Sequence, residues 1–255
     1  MDCSNIEVGG GWVLDDFIYH ANRVMGFSPQ GKEKVKTNKD LYIPNIVPDG
    51  KNTKVSIISK DAFVEKGIKS VVFPKSLKYI EERAFLRNQI EKMVLPDSLR
   101  SIGIEAFDSN NLEELNFPES LKMIEIRAFR NNNLKFINLP DGVLFIGEGA
   151  FSSNLLKYLK IPNLITDIQE FSFAYNSLER VDFFEGLISI GAKAFEDNKI
   201  ATLVVPNFVK EIGERAFSNN PIKSLVLGKG LEKIGKFAFP ETKEVEEEIF
   251  RKANI

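Results

Sequence analysis

The chain has 255 residues, of which 43% are hydrophobic and 27% charged, with a formal net charge of −2. Its 21 phenylalanines contrast with one histidine (His20), one cysteine (Cys3) and one tryptophan (Trp12). These counts argue against a zinc, haem or iron–sulfur centre and against an intrachain disulfide. A catalytic triad would depend on His20, which lies outside the main body of the chain. We therefore expect no metal and no cofactor.

Acidic and basic residues alternate along the chain. No basic segment predicts binding to nucleic acid or to an anionic membrane surface. No apolar run approaches the roughly 18 residues of a membrane-spanning helix, and the N-terminus lacks a signal-peptide pattern. Either the protein stays inside the cell or a signal segment has been removed, and a single cysteine does not distinguish these cases.

The N-terminal residues 1–11 predict a flexible tether because of their glycine run, Gly9–Gly11. Cys3 lies in this segment. No lipobox precedes Cys3, so we interpret it as an incidental cysteine, and a lipid anchor is the alternative.

Residues 12–54 lack the repeat that follows and are predicted to cap it. The pattern indicates a hairpin that turns at Ala21-Asn22 and a short helix within residues 28–38. Leu41, Ile43 and Pro44 then imitate the strand of the repeat, so we expect stacking to begin there.

A 22-residue repeat organises residues 55–240 into about nine units. An isoleucine lies five residues before each phenylalanine of the repeat, and an alanine precedes eight of the nine, with Ser172 as the departure. One unit has too few apolar residues to fold alone, but stacked units merge their apolar faces into one core. The pattern therefore predicts a solenoid, with these phenylalanines in one row: Phe63, Phe85, Phe107, Phe129, Phe151, Phe173, Phe195, Phe217 and Phe239.

Each unit has two parts. A short alternating segment followed by proline, such as Leu115 to Pro118, predicts a strand that ends at the proline. The second part, Leu-x-x-Ile-Gly-x-x-Ala-Phe, returns the chain along the opposite side. We interpret a row of asparagines at the same period as a ladder that bonds backbone groups of the turns. Its members are Asn88, Asn110, Asn132, Asn154, Asn176, Asn198 and Asn220.

These repeats resemble the BspA-like, or Treponema pallidum-type, leucine-rich repeats of many bacterial surface proteins. The resemblance covers about residues 40–240. It implies a mainly β or α/β-type repeat solenoid, a curved right-handed superhelix with parallel strands on its concave face. It also implies a surface-exposed adhesin or interaction module.

Residues 241–255 follow the last unit. Val245, Ile249 and Phe250 have helical spacing with charges between them. The segment is therefore predicted to be a capping helix or a linker to a further domain.

The candidate binding site consists of residues that depart from the repeat at outward strand positions. Because coils lie about 4.8 Å apart, we expect Phe136 and Tyr158 to be neighbours on the concave face. Aromatic anchors inside a charged rim are typical of surfaces that bind proteins or carbohydrates. The alternative is an aromatic pair that only stabilises the sheet. The predicted rim consists of Glu114, Lys160, Arg180 and Asp182.

A second group of extra apolar residues occupies the central units: Leu144, Phe145, Leu164, Phe171, Phe184 and Ile188. They form either an exposed patch for dimerisation or partner contact, or extra core that packs over the coils. We favour the extra core, and hence a monomer over a homodimer.

The sequence as a whole predicts a binding module without catalytic machinery. The leading hypothesis is attachment of a bacterial surface to a protein or glycan of a host or neighbouring cell, with an extracellular or cell-surface location. An intracellular or periplasmic scaffold is the second hypothesis. A carbohydrate-active enzyme is the third, and it requires two buried carboxylates close together.

Overall fold

The computed structural model describes residues 7–240 and Val245. The chain begins with a cap of short elements. Strands β1 and β2 pair antiparallel, and β3 and β4 form a hairpin that turns at Ala21-Asn22. A single 3-10 turn, Leu14–Asp16, precedes the hairpin, and a short helix follows it. The bounds are β1 Glu7–Gly9, β2 Trp12–Val13, β3 Phe17–His20, β4 Arg23–Phe27, α1 Pro29–Lys34 and β5 Asp40–Tyr42.

The glycine run does not form a tether within the described residues. Residues 7–9 are strand β1, the Asn38 side-chain amide donates to the Gly10 carbonyl at 2.8 Å, and the Lys34 ammonium donates to the Gly11 carbonyl at 3.0 Å. The expected flexibility of residues 7–11 is therefore wrong, because side chains of the cap fix this backbone. Residues 1–6, including Cys3, lie outside the described residues.

The cap extends the apolar core of the repeat. Helix α1 begins at Ser28, whose hydroxyl accepts from the Gly31 amide, and Pro29 occupies the first helical position. Trp12 is fully buried and stacks on Phe27 with ring centroids 5.2 Å apart. Phe27 then packs edge-on against Phe63, the first phenylalanine of the repeat row, at 4.8 Å.

The repeat forms eight complete coils of 22 residues, from 55 to 230, followed by the start of a ninth. Each coil contains a two-residue strand and then a three-residue strand. Their bounds in chain order are β6 Ile57–Ile58, β7 Ser70–Val72, β8 Tyr79–Ile80, β9 Lys92–Val94, β10 Ser101–Ile102, β11 Glu114–Asn116, β12 Met123–Ile124, β13 Phe136–Asn138, β14 Phe145–Ile146, β15 Tyr158–Lys160, β16 Asp167–Ile168, β17 Arg180–Asp182, β18 Ser189–Ile190, β19 Thr202–Val204, β20 Glu211–Ile212, β21 Ser224–Val226 and β22 Lys233–Ile234.

All strands of the coils pair in parallel with a register of 22 residues, as Ile102 with Ile124. The two-residue strands form two long ladders. One is β6-β8-β10-β12-β14, which continues the cap strand β4, and the other is β16-β18-β20-β22. The three-residue strands form the shorter groups β7-β9, which continues the cap strand β5, β11-β13, β15-β17 and β19-β21. We call the outer surface of the three-residue strands the strand face. The predicted fold, a parallel-strand solenoid of 22-residue units, is confirmed.

The phenylalanine row forms a continuous stack through the centre of the coils. From Phe85 to Phe239 the ring centroids lie 5.2 to 5.7 Å apart, and successive planes are within 11° of parallel. Offset stacking of this kind adds about 0.5–1.5 kcal/mol per pair to the stabilisation from burial. The stack explains why the phenylalanine spacing is so strict, since a shift of one residue would break it.

The asparagine row is buried beside the stack and bonds backbone groups, as predicted. The Asn132 amide group donates to the Phe107 carbonyl at 2.9 Å and to the Phe129 carbonyl at 3.2 Å. Its oxygen accepts from the Leu112 amide at 3.1 Å. Each asparagine therefore joins consecutive coils, and the ladder interpretation is confirmed.

In each coil, the turn between the two-residue strand and the buried asparagine of the ladder places two residues in the left-handed region of φ/ψ space. In one coil these are Arg127 and Asn131, both with φ of 54°. Non-glycine residues in this region cost roughly 1–2 kcal/mol each. Backbone bonds between coils, such as the Phe107 amide to the Ala128 carbonyl at 2.8 Å, hold the turns in this conformation.

The C-terminal end of the core includes Val245, which is buried. The predicted capping helix or linker at 241–255 otherwise lies outside the described residues. Among the helices of the described part, none is long and apolar enough to cross a bilayer.

Candidate binding surface

The strand face presents the predicted aromatic anchors to solvent. Outward positions alternate with inward ones along each three-residue strand, as in β15, where Leu159 is buried between Tyr158 and Lys160. Phe136 is 60% exposed and Tyr158 is 44% exposed. A large apolar ring at this exposure contributes little to folding, so it is available for contact with another molecule.

Tyr158, Arg180 and Asp182 form one connected cluster. The Tyr158 hydroxyl donates to Asp182 Oδ2 at 2.8 Å. Arg180 binds the same carboxylate through Nε at 2.7 Å and Nη2 at 3.0 Å. The Arg180 guanidinium also lies 5.9 Å from the centroid of the Tyr158 ring. Contacts of this kind restrict the rotamers of all three side chains before any ligand arrives.

These contacts change the titration of the cluster. The hydrogen bonds from Arg180 lower the pKa of Asp182 below its usual value. The hydrogen bond to Asp182 raises the pKa of the Tyr158 phenol. At neutral pH the cluster therefore presents a neutral phenol and a closed ion pair.

The six predicted residues fall into two groups. Tyr158 pairs with Arg180 and Lys160 with Asp182 across β15 and β17, whereas Glu114 pairs with Phe136 across β11 and β13. No ladder joins β13 to β15. Strands β13 and β15 nevertheless lie side by side in consecutive coils, with Cα atoms within 8 Å of each other. That Phe136 and Tyr158 are neighbours that act together stays a prediction.

The other rim residues differ in their surroundings. Lys160 is exposed and its ammonium lies 3.3 Å from an Asp141 carboxylate oxygen, which belongs to the turn before it in the stack. Glu114 is exposed beside Phe136. Only Tyr158, Arg180 and Asp182 are thus held together by direct side-chain contacts.

Cavities lie at two of the three interruptions of the three-residue ladder. A cavity of about 980 Å³ lies between β9 and β11, and one of about 550 Å³ lies between β17 and β19 beside Arg180 and Asp182. A third, of about 850 Å³, surrounds Val72 and Val94, and Val94 is 83% exposed. These valines are not among the predicted site residues. The sequence does mark them, because a β-branched residue stands there at an outward strand position that is polar in other coils.

The second group of extra apolar residues is exposed in part. Leu144, Leu164, Phe184 and Ile188 are exposed, while Phe145 and Phe171 are half-buried. For these four residues the expected extra core is wrong, because they project from the corner between the two strand rows instead of packing over the coils.

Buried carboxylates in the described part of the chain have structural partners. Asp16 accepts from the Val13 amide and forms an ion pair with Lys34, and Asp108 pairs with Arg130. Glu196 accepts from the Tyr175 hydroxyl. Within the described residues, no group of three or more histidine, cysteine, aspartate or glutamate side chains is placed to hold a metal ion.

Comparison with known proteins agrees with this architecture. The BspA type leucine rich repeat region matches residues 50–157 and 145–254, with six copies. The chain belongs to the BspA-type leucine-rich repeat family. No curated protein sequence matches the chain. Leucine-rich repeat solenoids of this family are typically non-catalytic binding scaffolds, and the repeat fold is a protein-interaction fold.

Two solved structures have similar folds. A leucine-rich repeat protein from Bacteroides ovatus ATCC 8483 is 20% identical, with a TM-score of 0.59 over 92% of this chain and 81% of that one. A leucine rich cell surface protein from Faecalibacterium prausnitzii A2-165 is 19% identical, with a TM-score of 0.50 over 89% of this chain and 55% of that one. At these identities the likeness concerns the fold.

Proposed function

We propose that this domain is a non-catalytic binding module of a bacterial cell surface that recognises a protein or glycan of a host or neighbouring cell. The observation that carries the proposal is the Tyr158–Arg180–Asp182 cluster on the strand face. An exposed aromatic ring is held there by a bidentate ion pair. Rigid aromatic anchors lose little conformational entropy on binding, which favours recognition of both protein and sugar surfaces.

The placement of the carboxylates supports a binding role over a glycosidase role. Asp16 lies in the cap, Asp108 in the third coil and Glu196 in the seventh. The last two are separated by four coils, or roughly 19 Å at the spacing of parallel strands. Glycosidases hold their two carboxyl groups about 5–9.5 Å apart.

Support for a surface location comes from a relative. The similar chain from Faecalibacterium prausnitzii is described as a leucine rich cell surface protein. A surface location would also suit the exposed apolar residues of the strand face, since a host or neighbouring cell offers many macromolecular partners.

The test is binding of the purified chain to arrays of extracellular-matrix proteins and host-type glycans. We expect binding to at least one array member and a loss of about tenfold or more in affinity for Phe136→Ser combined with Tyr158→Ser. Tyr79→Ser is the matched control, because Tyr79 is an exposed aromatic on the two-residue strands. Unchanged affinity of the double variant, or equal loss in the control, would overturn the strand-face assignment.

A further inference from the structure

The corner between the two strand rows carries an exposed apolar ridge that the strand face does not include. We define the ridge as five side chains of the fifth to seventh coils that are 40–65% exposed: Leu144, Leu164, Phe184, Ile188 and Phe208. The fractions correspond to roughly 450 Å² of apolar side-chain surface, the size at which a patch on a monomer marks an interaction site.

The repeat itself shows that the fold does not need these residues. Leu164 and Phe208 occupy the position that holds Ser76, Ser98 and Ser120 in earlier coils. There the serine hydroxyl donates to a carbonyl 21 residues earlier in the chain, as Ser120 to Leu99 at 2.6 Å. The ridge thus replaces a hydrogen bond by an exposed apolar side chain, which brings no evident gain in stability.

The remaining ridge residues also stand where other coils hold a different kind of residue. Phe184 stands where Pro162 and Pro206 end their strands. Leu144 and Ile188 stand in the row that holds Lys78 and Arg100. A proline or a cation is therefore compatible with the fold at each of these positions.

The Phe184 ring fills the gap between the two apolar residues of the serine row. Gly186 lies between Leu164 and Phe208 in the serine row, and the Phe184 ring covers it, since a Cβ built on Gly186 would lie 2.6 Å from Phe184 Cε1. The Phe184 ring thus fills the place that Gly186 leaves open. The ridge also spans the one interruption of the two-residue ladder between β6 and β22, at β14 and β16.

Two exposed carboxylates of the sixth coil lie beside the ridge. Asp167 and Glu185 form no ion pair with any described residue, and Asp167 accepts hydrogen bonds only from the neutral Thr166 and Ser189 hydroxyls, at 2.7 and 2.5 Å. Nearby lysines are engaged, Lys160 with Asp141 and Lys210 with Glu232. The border beside the sixth and seventh coils is therefore net negative, and it repels an anionic lipid surface while it attracts cationic side chains.

The charge of the border argues for a cationic partner over a second copy. A two-fold contact through the ridge would bring its own carboxylates close to those of the other copy, which is unfavourable. We propose that the ridge docks an apolar segment of a partner protein that is flanked by lysine or arginine. Its apolar side chains would lie on Leu164, Phe184 and Phe208, and its cations would face Asp167 and Glu185.

The test measures binding of the full chain to two fluorescent 14-residue peptides with identical leucines at helical spacing. One peptide has lysine and the other has glutamate at the polar positions. We expect the lysine peptide to bind at least tenfold more tightly. The triple variant Leu164→Ser, Phe184→Pro, Phe208→Ser should lose about tenfold in affinity, because it installs the residues of other coils at constant charge.

Controls separate the ridge from the strand face and from misfolding. Phe136→Ser with Tyr158→Ser should leave peptide binding unchanged, and Asp167→Asn with Glu185→Gln should weaken it several-fold, about three to ten. Circular dichroism of the triple variant should match the wild type. Equal binding of both peptides, or undiminished binding by a folded triple variant, would overturn the proposal.

Two further measurements assign the ridge to another occupant if the proposal is wrong. A dimer in sedimentation equilibrium that the triple variant abolishes would assign the ridge to a second copy. Binding to phosphatidylcholine–phosphatidylserine vesicles that the triple variant abolishes would assign it to a lipid surface. Either result, without preference for the lysine peptide, overturns the proposed partner.

Discussion

Replacement of Asn132 by alanine tests the hydrogen-bond ladder that joins the coils. The substitution removes the bonds to the Phe107, Phe129 and Arg130 carbonyls and the bond from the Leu112 amide. The Phe107 and Phe129 carbonyls keep a second asparagine, Asn110 at 3.2 Å and Asn154 at 2.9 Å, and the Arg130 carbonyl keeps the Ser109 amide at 2.9 Å.

Only the Leu112 amide is therefore left without a partner. An unsatisfied buried amide costs about 1–3 kcal/mol, and the weakened carbonyls together add roughly 1 kcal/mol. We expect a total loss of about 2–4 kcal/mol in the free energy of unfolding. At a urea m-value near 3 kcal/mol/M, the midpoint followed by circular dichroism should fall by about 1 M.

The matched control is Asn133→Ala, because Asn133 is exposed beside Asn132. Its midpoint should change by less than about 0.2 M. Trp12 fluorescence should report the cap in the same samples, since Trp12 is buried there. A midpoint for Asn132→Ala that equals the control would refute the stabilising role of the ladder.

Three other predictions concern the core, the turns and the strand face. Phe129→Ala removes a fully buried ring of the stack, so a calorimetric scan should show a loss of about 3–5 kcal/mol, and a loss below 1 kcal/mol would contradict the packing argument. Ser153→Gly relieves a left-handed residue with φ of 56°, so the thermal midpoint should rise by the equivalent of about 0.5–1 kcal/mol, whereas a fall would refute the assigned strain. The Tyr158 phenol has a raised pKa through its bond to Asp182, so this contact stabilises the fold fully below the ordinary tyrosine pKa and loses its effect as the pH rises through the folded value. Absorbance titration at 295 nm, with Tyr158→Phe as reference, should show that Asp182→Asn lowers the Tyr158 pKa, and no change would contradict the assignment.

The repeat architecture could be predicted from the sequence because it depends on local regularity. A phenylalanine and an isoleucine that recur every 22 residues fix the register of stacking, and only a coil that repeats at the same interval superimposes them. The buried asparagines could be assigned to backbone bonds for the same reason, since a polar row inside every coil requires partners.

The interruptions of the ladders could not be predicted from the sequence and are seen only in the tertiary structure. The sequences of β11, β13 and β15 have the same alternating pattern. Strand β13 is nevertheless hydrogen-bonded to β11 and not to β15. No single unit of the sequence contains that information.

The 22-residue period predicts the solenoid, its inward rows and the set of residues that depart from the repeat. The contacts and the exposure of those residues follow from the folded chain. In the folded chain Tyr158 contacts Asp182, which Arg180 also binds, while no ladder joins the strand of Phe136 to that of Tyr158. Leu164 and Phe208 are exposed to solvent. The physical reason is that periodicity specifies which side of a coil a residue occupies, whereas exposure and side-chain contacts depend on the packing of neighbouring coils.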